Sequence, residues 1–144
     1  MTNTPEKIVY TAKVTTTGGR RGGTAVSDDG QLDVVLQAPV EMGGPGGGTN
    51  PEQLFAAGYG ACFQGAMGLA AKELGLAAKD ATLHVEIGFG PEGESYAITA
   101  TIRAGVPGLS LEEVQKLLER THELCPYSKA TRGNVPVTLI AETA

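Results

Sequence analysis

Two cysteines in 144 residues are too few to staple a chain of this length, so a disulfide scaffold is excluded. Cys62 and Cys125 stand 63 positions apart, which excludes a C-x-x-C redox motif and a zinc knuckle. From the count alone, two unrelated buried thiols are the plainer reading, since free cysteine is among the most buried residue types. Positive charge is scarce as well. With 11 Lys and Arg against 16 Asp and Glu, the net charge is -5, and no general basic field exists to hold nucleic acid or anionic lipid. Met1 to Lys7 carry no apolar run resembling a signal peptide, and no stretch approaches the ~20 apolar residues of a membrane span. The expectation is a cytoplasmic protein that binds neither nucleic acid nor membrane. The motifs G-x-S-x-G, H-E-x-x-H and G-x-x-x-x-G-K-[ST] are absent, and the glycine run GGPGGGTN lacks the Lys-Ser/Thr of a phosphate loop.

What is present fits one globular domain over residues 1–144, with 41% hydrophobic and 19% charged residues. The 21 glycines cluster at Gly18-Gly19, Gly22-Gly23 and Gly43 to Gly48, as tight turns would require. Ile8 to Thr16 alternates as a strand, and Thr24 to Ser27 and Leu32 to Leu36 flank a turn at Asp28-Asp29-Gly30. Residues 38–49 read as a folded loop. Asn50 as N-cap, Pro51 at the first position and Gln53 at the capping-box position announce a helix that runs to Leu74 and stops at Gly75. Its four glycines, Gly58, Gly60, Gly65 and Gly68, each cost about 1 kcal/mol relative to alanine. Such a helix persists only when packing offsets the loss, so it is expected to be a buried core helix.

Leu83 to Phe89 and Tyr96 to Ala104 read as strands joined by a turn. Ser110 and Glu113 form a capping box for a second helix, which Pro126 ends, and Val135 to Ala141 closes the chain as a strand. The order indicates an α+β fold built on hairpins, with a long central buried helix and a second helix, rather than a βαβ wind.

Cys62 lies near the middle of the long helix, too far from its N-terminus for that dipole to lower the thiol pKa, and burial would raise it. A reactive Cys62 therefore needs a cation. The pair Arg20-Arg21, flanked by glycine pairs, is the most prominent candidate, although such pairs are commonly solvated turn residues. Glu52 is favoured in the first helical turn by the macrodipole in any case. Cys125, read alone, is a small core hydrophobe at the end of its helix. His84 points to the polar face of its strand. His122 and Cys125 have a metal-compatible spacing, but two ligands are too few for a structural zinc site, so no metal and no bound cofactor are expected.

Together these residues match a pattern. The segments GGR at 18–20, GGTNPEQLFAAGYGACF at 47–63 and CPYSKATRGNVPV at 125–137 strongly resemble the organic hydroperoxide resistance family within the osmotically inducible protein C superfamily. The resemblance covers nearly the whole chain. It implies an intertwined α+β homodimer whose long helices pack together, with two active sites at the subunit interface. It implies that Cys62 is the peroxidatic cysteine and Cys125 the resolving one, with Arg20 holding the thiolate and Glu52 holding Arg20. It further implies organic hydroperoxides as substrates and a dithiol of the dihydrolipoyl type, free or on a lipoylated protein, as electron donor. The family's Gly-Gly-Arg is usually followed by a residue other than arginine. Arg21 follows here, so Arg20 takes the catalytic position and Arg21 is the alternative.

Such a peroxidase favours organic substrates through an apolar pocket, for which Phe55, Phe63, Met67 and Tyr127 are available, although each of them taken singly is more often a core residue. Glu52 and Cys62 are ten residues apart, about 15 Å along a helix and off a common face. The expectation is that Cys62 meets the Arg20–Glu52 pair of the other subunit. Two rival readings share the same fold: a redox-sensing or ligand-binding module, and a structural protein with inert thiols.

Overall fold

A computed structural model describes residues 2–144, which divide into two compact units, one ending at Leu54 and one spanning Phe55–Ala144. In the first unit, β1 (Val14–Thr17), β2 (Thr24–Ser27) and β3 (Asp33–Val35) form an antiparallel sheet in that order. The β1–β2 ladder runs from Val14 opposite Ser27 to Thr17 opposite Thr24. The strand expected from Ile8 thus begins only at Val14. β2 is four residues long and offers no further partners, which leaves Ile8, Val9 and Tyr10 exposed. β3 is shorter than expected for a similar reason. Leu32 is drawn into the turn by the Ser27 hydroxyl, which accepts its N–H at 2.9 Å, while Leu36 bridges to Thr49.

Helix α1 (Pro51–Leu74) begins as its sequence indicates, with the Gln53 N–H donating to Asn50 Oδ1 at 2.8 Å. Only half of the capping box forms, because the Gln53 side chain accepts from the Thr49 hydroxyl instead. At the far end Gly75 adopts φ 69°, and the Leu76 N–H closes back onto the Ala71 carbonyl.

In the second unit α1 buries Tyr59, Phe63, Met67, Ala70 and Ala71, positions that line one helical stripe. They pack with Ala100, Ile102 and Ala104 of the sheet and with Val114, Leu117 and Leu118. The long helix is thus a core helix as expected, buried along one face, while a Cβ added at Gly65 or Gly68 would meet nothing within 4 Å. The other two helical glycines do carry close contacts. A Cβ on Gly58 would lie 2.9 Å from the Tyr127 hydroxyl, and one on Gly60 would lie 3.2 Å from Val85. By length and composition α1 is also apolar enough to cross a membrane, contrary to the sequence reading. Its buried stripe and the hydroxyl bonds of Tyr59 are those of a helix packed in a protein core.

Strands β4 (Thr82–Glu92) and β5 (Ser95–Gly105) form a long antiparallel hairpin around Gly93, with Leu83, Val85 and Ile87 turned towards the core. Helix α2 (Leu111–Leu124) opens with the complete Ser110–Glu113 capping box. A short α3 (Pro126–Thr131) follows at once, and β6 (Val137–Glu142) returns. β6 pairs with β5 in parallel, Ala100 opposite Val137 to Gly105 opposite Glu142. The fold is α+β, yet β5–α2–α3–β6 is a βαβ connection, which corrects the expectation of hairpins alone. The amphipathic stripe of α2 covers this sheet, and a strand returning across such a layer enters parallel.

Candidate functional site

The second unit places both thiols together. Cys62, on the fourth turn of α1, and Cys125, at the α2–α3 junction, have sulfurs 3.8 Å apart. Both cysteines are unbridged, Cys125 fully buried and Cys62 partly exposed. A disulfide needs about 2.05 Å, so closure requires the sulfurs to approach by roughly 1.8 Å. Burial pushes the Cys62 thiol pKa up, and the neighbouring Cys125 adds to the rise. The backbone N–H of Tyr127, at the second position of α3, acts in the opposite direction by donating to the Cys62 sulfur. Sequence reading foresaw the penalty of burial and missed this donor. The available signal was Cys125-Pro126: proline suits the first helical position, so the amide after it is one of the unpaired donors of a new helix.

The first unit holds the second pair. Arg20 Nη1 donates to Glu52 Oε1 at 2.8 Å and Nη2 to Oε2 at 3.1 Å, a bidentate fork. Glu52 raises the Arg20 pKa, with the hydrogen bond the leading cause. The turn carrying Arg20 depends on glycine. Gly18, Gly19 and Gly22 all have positive φ, and a Cβ on Gly23 would collide with the carbonyls of Gly19 and Thr17. Arg21 is exposed, so of the two candidate arginines it is Arg20 that engages Glu52.

Of the four proposed pocket residues, Phe63 and Met67 lie in the core and present no surface to a substrate. Phe55 and Tyr127 differ: their rings contact each other edge-on at 6.3 Å, and Tyr127 is 40% exposed. Helical spacing alone did not separate the two kinds, because the stripe that faces the core also carries aromatics.

Beside the thiols lies a buried hydroxyl cluster that the sequence did not reveal. Tyr59 Oη lies 2.8 Å from Ser128 Oγ and 3.2 Å from Thr131 Oγ1, and Ser128 Oγ lies 2.7 Å from His122 Nδ1. His122 therefore engages Ser128. Among the described residues no group of three or more His, Cys, Asp or Glu side chains is placed to hold a metal.

Comparison with known proteins places this geometry in context. Residues 44–140 match the family model described as OsmC-like protein. The organic hydroperoxide resistance protein of Xanthomonas axonopodis pv. citri (strain 306) is 50% identical over 137 residues, covering 94% of this chain and 96% of that protein. Among solved structures, the organic hydroperoxide resistance protein OhrB of Bacillus subtilis is 42% identical, with a TM-score of 0.84 and coverage of 94% of this chain and 100% of that one. One from Elizabethkingia anophelis is 39% identical, with a TM-score of 0.87 and coverage of 96% and 99%.

Proposed function

This chain belongs to the OsmC-like protein family, and from that premise we propose that it is a thiol-dependent peroxidase that reduces organic hydroperoxides to alcohols. One observation carries the reading: two thiols 63 residues apart in sequence lie 3.8 Å apart beside an amide donor. The Cys62 thiolate attacks the terminal peroxide oxygen. An S–O bond forms, the O–O bond breaks, and the alkoxide leaves as alcohol after taking a proton. Cys125 then attacks the sulfenic sulfur, forming the disulfide and releasing water. A dithiol of the dihydrolipoyl type, free or on a lipoylated protein, reopens the bond by exchange. Arg20, oriented by Glu52, stabilises the thiolate and the departing oxygen. The cytoplasm suits this cycle, because a reducing compartment keeps the donor dithiol in its reduced form. Phe55 and Tyr127 supply apolar surface for the substrate, and each buried CH₂ adds ~0.8 kcal/mol, so a four-carbon tail is worth a factor of roughly 10².

Turnover tests the reading. With cumene hydroperoxide in excess, the protein should consume many equivalents when dihydrolipoamide is supplied, and far fewer with thioredoxin or glutathione. Consumption of a single equivalent with every reductant would identify a sensor instead.

The homodimer belongs to the same proposal. It is supported by the face of α1 that carries Gly65, Gly68 and the exposed Leu69, and by the exposed Ile8, Val9 and Tyr10. Close helix packing tolerates glycine and rejects bulk. Leucine at both Gly65 and Gly68 should therefore turn a dimer into a species near 14.8 kDa in analytical ultracentrifugation. An unchanged dimer would remove α1 from the interface.

A further inference from the structure

Cys125 is held by two helices at once. It caps the end of α2 and the start of α3 with φ -66° and ψ 125°. Its N–H donates to the Thr121 carbonyl at 2.8 Å, and its carbonyl accepts from the Lys129 N–H at 3.0 Å. The direction of its thiol therefore follows the angle between α2 and α3.

The buried hydroxyl cluster fixes that angle. Ser128 on α3 is tied to His122 on α2 at 2.7 Å and to Tyr59 on α1 at 2.8 Å. Arg132, just past α3, donates to the His122 carbonyl at 2.6 Å. Tyr59 lies three residues before Cys62, and Cys125 lies three residues after His122 and three before Ser128. Each tie thus acts about one helical turn from a cysteine, and the Tyr59–Ser128 bond joins the helix carrying Cys62 to the helix that follows Cys125. Burial, aided by the Arg132 charge, lowers the His122 pKa, which favours a neutral ring, and in its Nε2–H form that ring accepts the Ser128 proton at Nδ1. Tyr59, Ser128 and Thr131 are buried with all their hydroxyls bonded. Apolar side chains would fill the same space without such demands, whereas hydrogen bonds impose direction.

We propose that Ser128 is a positioning residue for the resolving thiol: its hydroxyl, bonded to His122 and Tyr59, fixes the α2–α3 bend and sets how fast the Cys62–Cys125 disulfide closes. The role in a peroxidase cycle rests on the function proposed above, but disulfide closure itself does not. The step can be driven by another oxidant. Oxidised glutathione forms a mixed disulfide with Cys62 and releases one glutathione thiolate. Cys125 then displaces the second glutathione and forms the same bond.

The test uses the reduced full-length protein and the variants Ser128→Ala, Tyr59→Phe and His122→Asn. Closure is followed by intact mass with oxidised glutathione and, separately, with cumene hydroperoxide. Ser128→Ala and Tyr59→Phe should each slow closure about tenfold with either oxidant, the scale of one lost hydrogen bond. The first oxidation of Cys62 by hydroperoxide should keep its parental rate, and Cys62 carrying two added oxygens should accumulate. His122→Asn places an amide oxygen near Nδ1 and should close at close to the parental rate. Tyr59→Phe keeps the ring packing, which guards against a variant that merely fails to fold. Parental closure rates in both Ser128→Ala and Tyr59→Phe would overturn the proposal, as would an equal slowing of the first oxidation and of closure. If hydroperoxide oxidises no variant or parent, yet closure with glutathione slows as expected, the positioning role stands and the peroxidase reading falls.

Discussion

Serine in place of Cys62 is expected to end hydroperoxide turnover, a loss of roughly 10⁴-fold or more, the scale on which deleting an essential nucleophile acts in other enzymes. The substitution is nearly isosteric at a partly exposed position on α1, so stability should change little. Nucleophilicity changes greatly, because a serine hydroxyl is not ionised where a thiol can be. Cys125→Ser should behave differently. Cys62 would still be oxidised once, but no sulfur would stand 3.8 Å away to trap the sulfenic acid. The sulfenic form would then persist or advance to the sulfinic state, and turnover would stop after about one equivalent. Stopped-flow consumption of cumene hydroperoxide combined with intact mass separates the two variants. Sustained turnover by Cys125→Ser at the parental rate would remove Cys125 from the resolving role.

The cysteine variants isolate the thiols, which are also where the sequence was most and least informative. Helix boundaries were legible wherever caps are local: Asn50 with Gln53, Ser110 with Glu113, and Gly75 with its positive φ all act within a few residues of the helix end. The β4–β5 hairpin was legible because alternation survives on a sheet with one buried face. β6 kept its strand identity but not its direction, because parallel pairing depends on where α2 packs and leaves no local mark. Ile8 to Tyr10 carry the same alternation as β1, yet whether they pair depends on the length of a neighbour, here a four-residue β2.

The site divides along the same line. Nothing in the spacing of Cys62 and Cys125 brings them together; the family resemblance made that pairing an expectation, and packing of α1 against the α2–α3 junction puts their sulfurs within 3.8 Å. The Tyr59–Ser128–His122 cluster had no sequence signature at all, since single hydroxyls on different elements are unremarkable until the fold joins them. Phe63 and Met67 take the core role that apolar side chains at helical spacing commonly have, which leaves Phe55 and Tyr127 available to a pocket.

Alanine in place of Arg20 is expected to lower the rate of Cys62 oxidation by about 10²–10³ at neutral pH. The reasoning starts from the thiol. Burial and Cys125 push the Cys62 pKa up, and the Tyr127 amide offsets only part of that rise. A raised pKa depletes the thiolate at any pH below it, so the rate climbs with pH until the pKa is passed. A guanidinium about 4 Å from a partly buried thiolate favours it by ~4 kcal/mol, nearly three decades in the ionisation constant. Alkylation of Cys62 against pH should therefore show its inflection at higher pH in Arg20→Ala than in the parent, together with the loss of rate. Glu52→Gln keeps the shape of the side chain but weakens the fork that orients Arg20, and a loss of about tenfold is expected. Coincident alkylation profiles for parent and Arg20→Ala would show that the cation does not act on Cys62. Mixing subunits locates the action. Dimers of one Cys62→Ser chain and one Glu52→Ala chain contain an intact site only if the thiol of one chain meets the Arg20–Glu52 pair of the other chain. In the shared arrangement the intact thiol of the Glu52→Ala chain meets the intact fork of the Cys62→Ser chain, and activity returns to about half of the parent per dimer. If each fork serves its own chain's thiol, every site in the mixed dimer lacks one member and no activity returns.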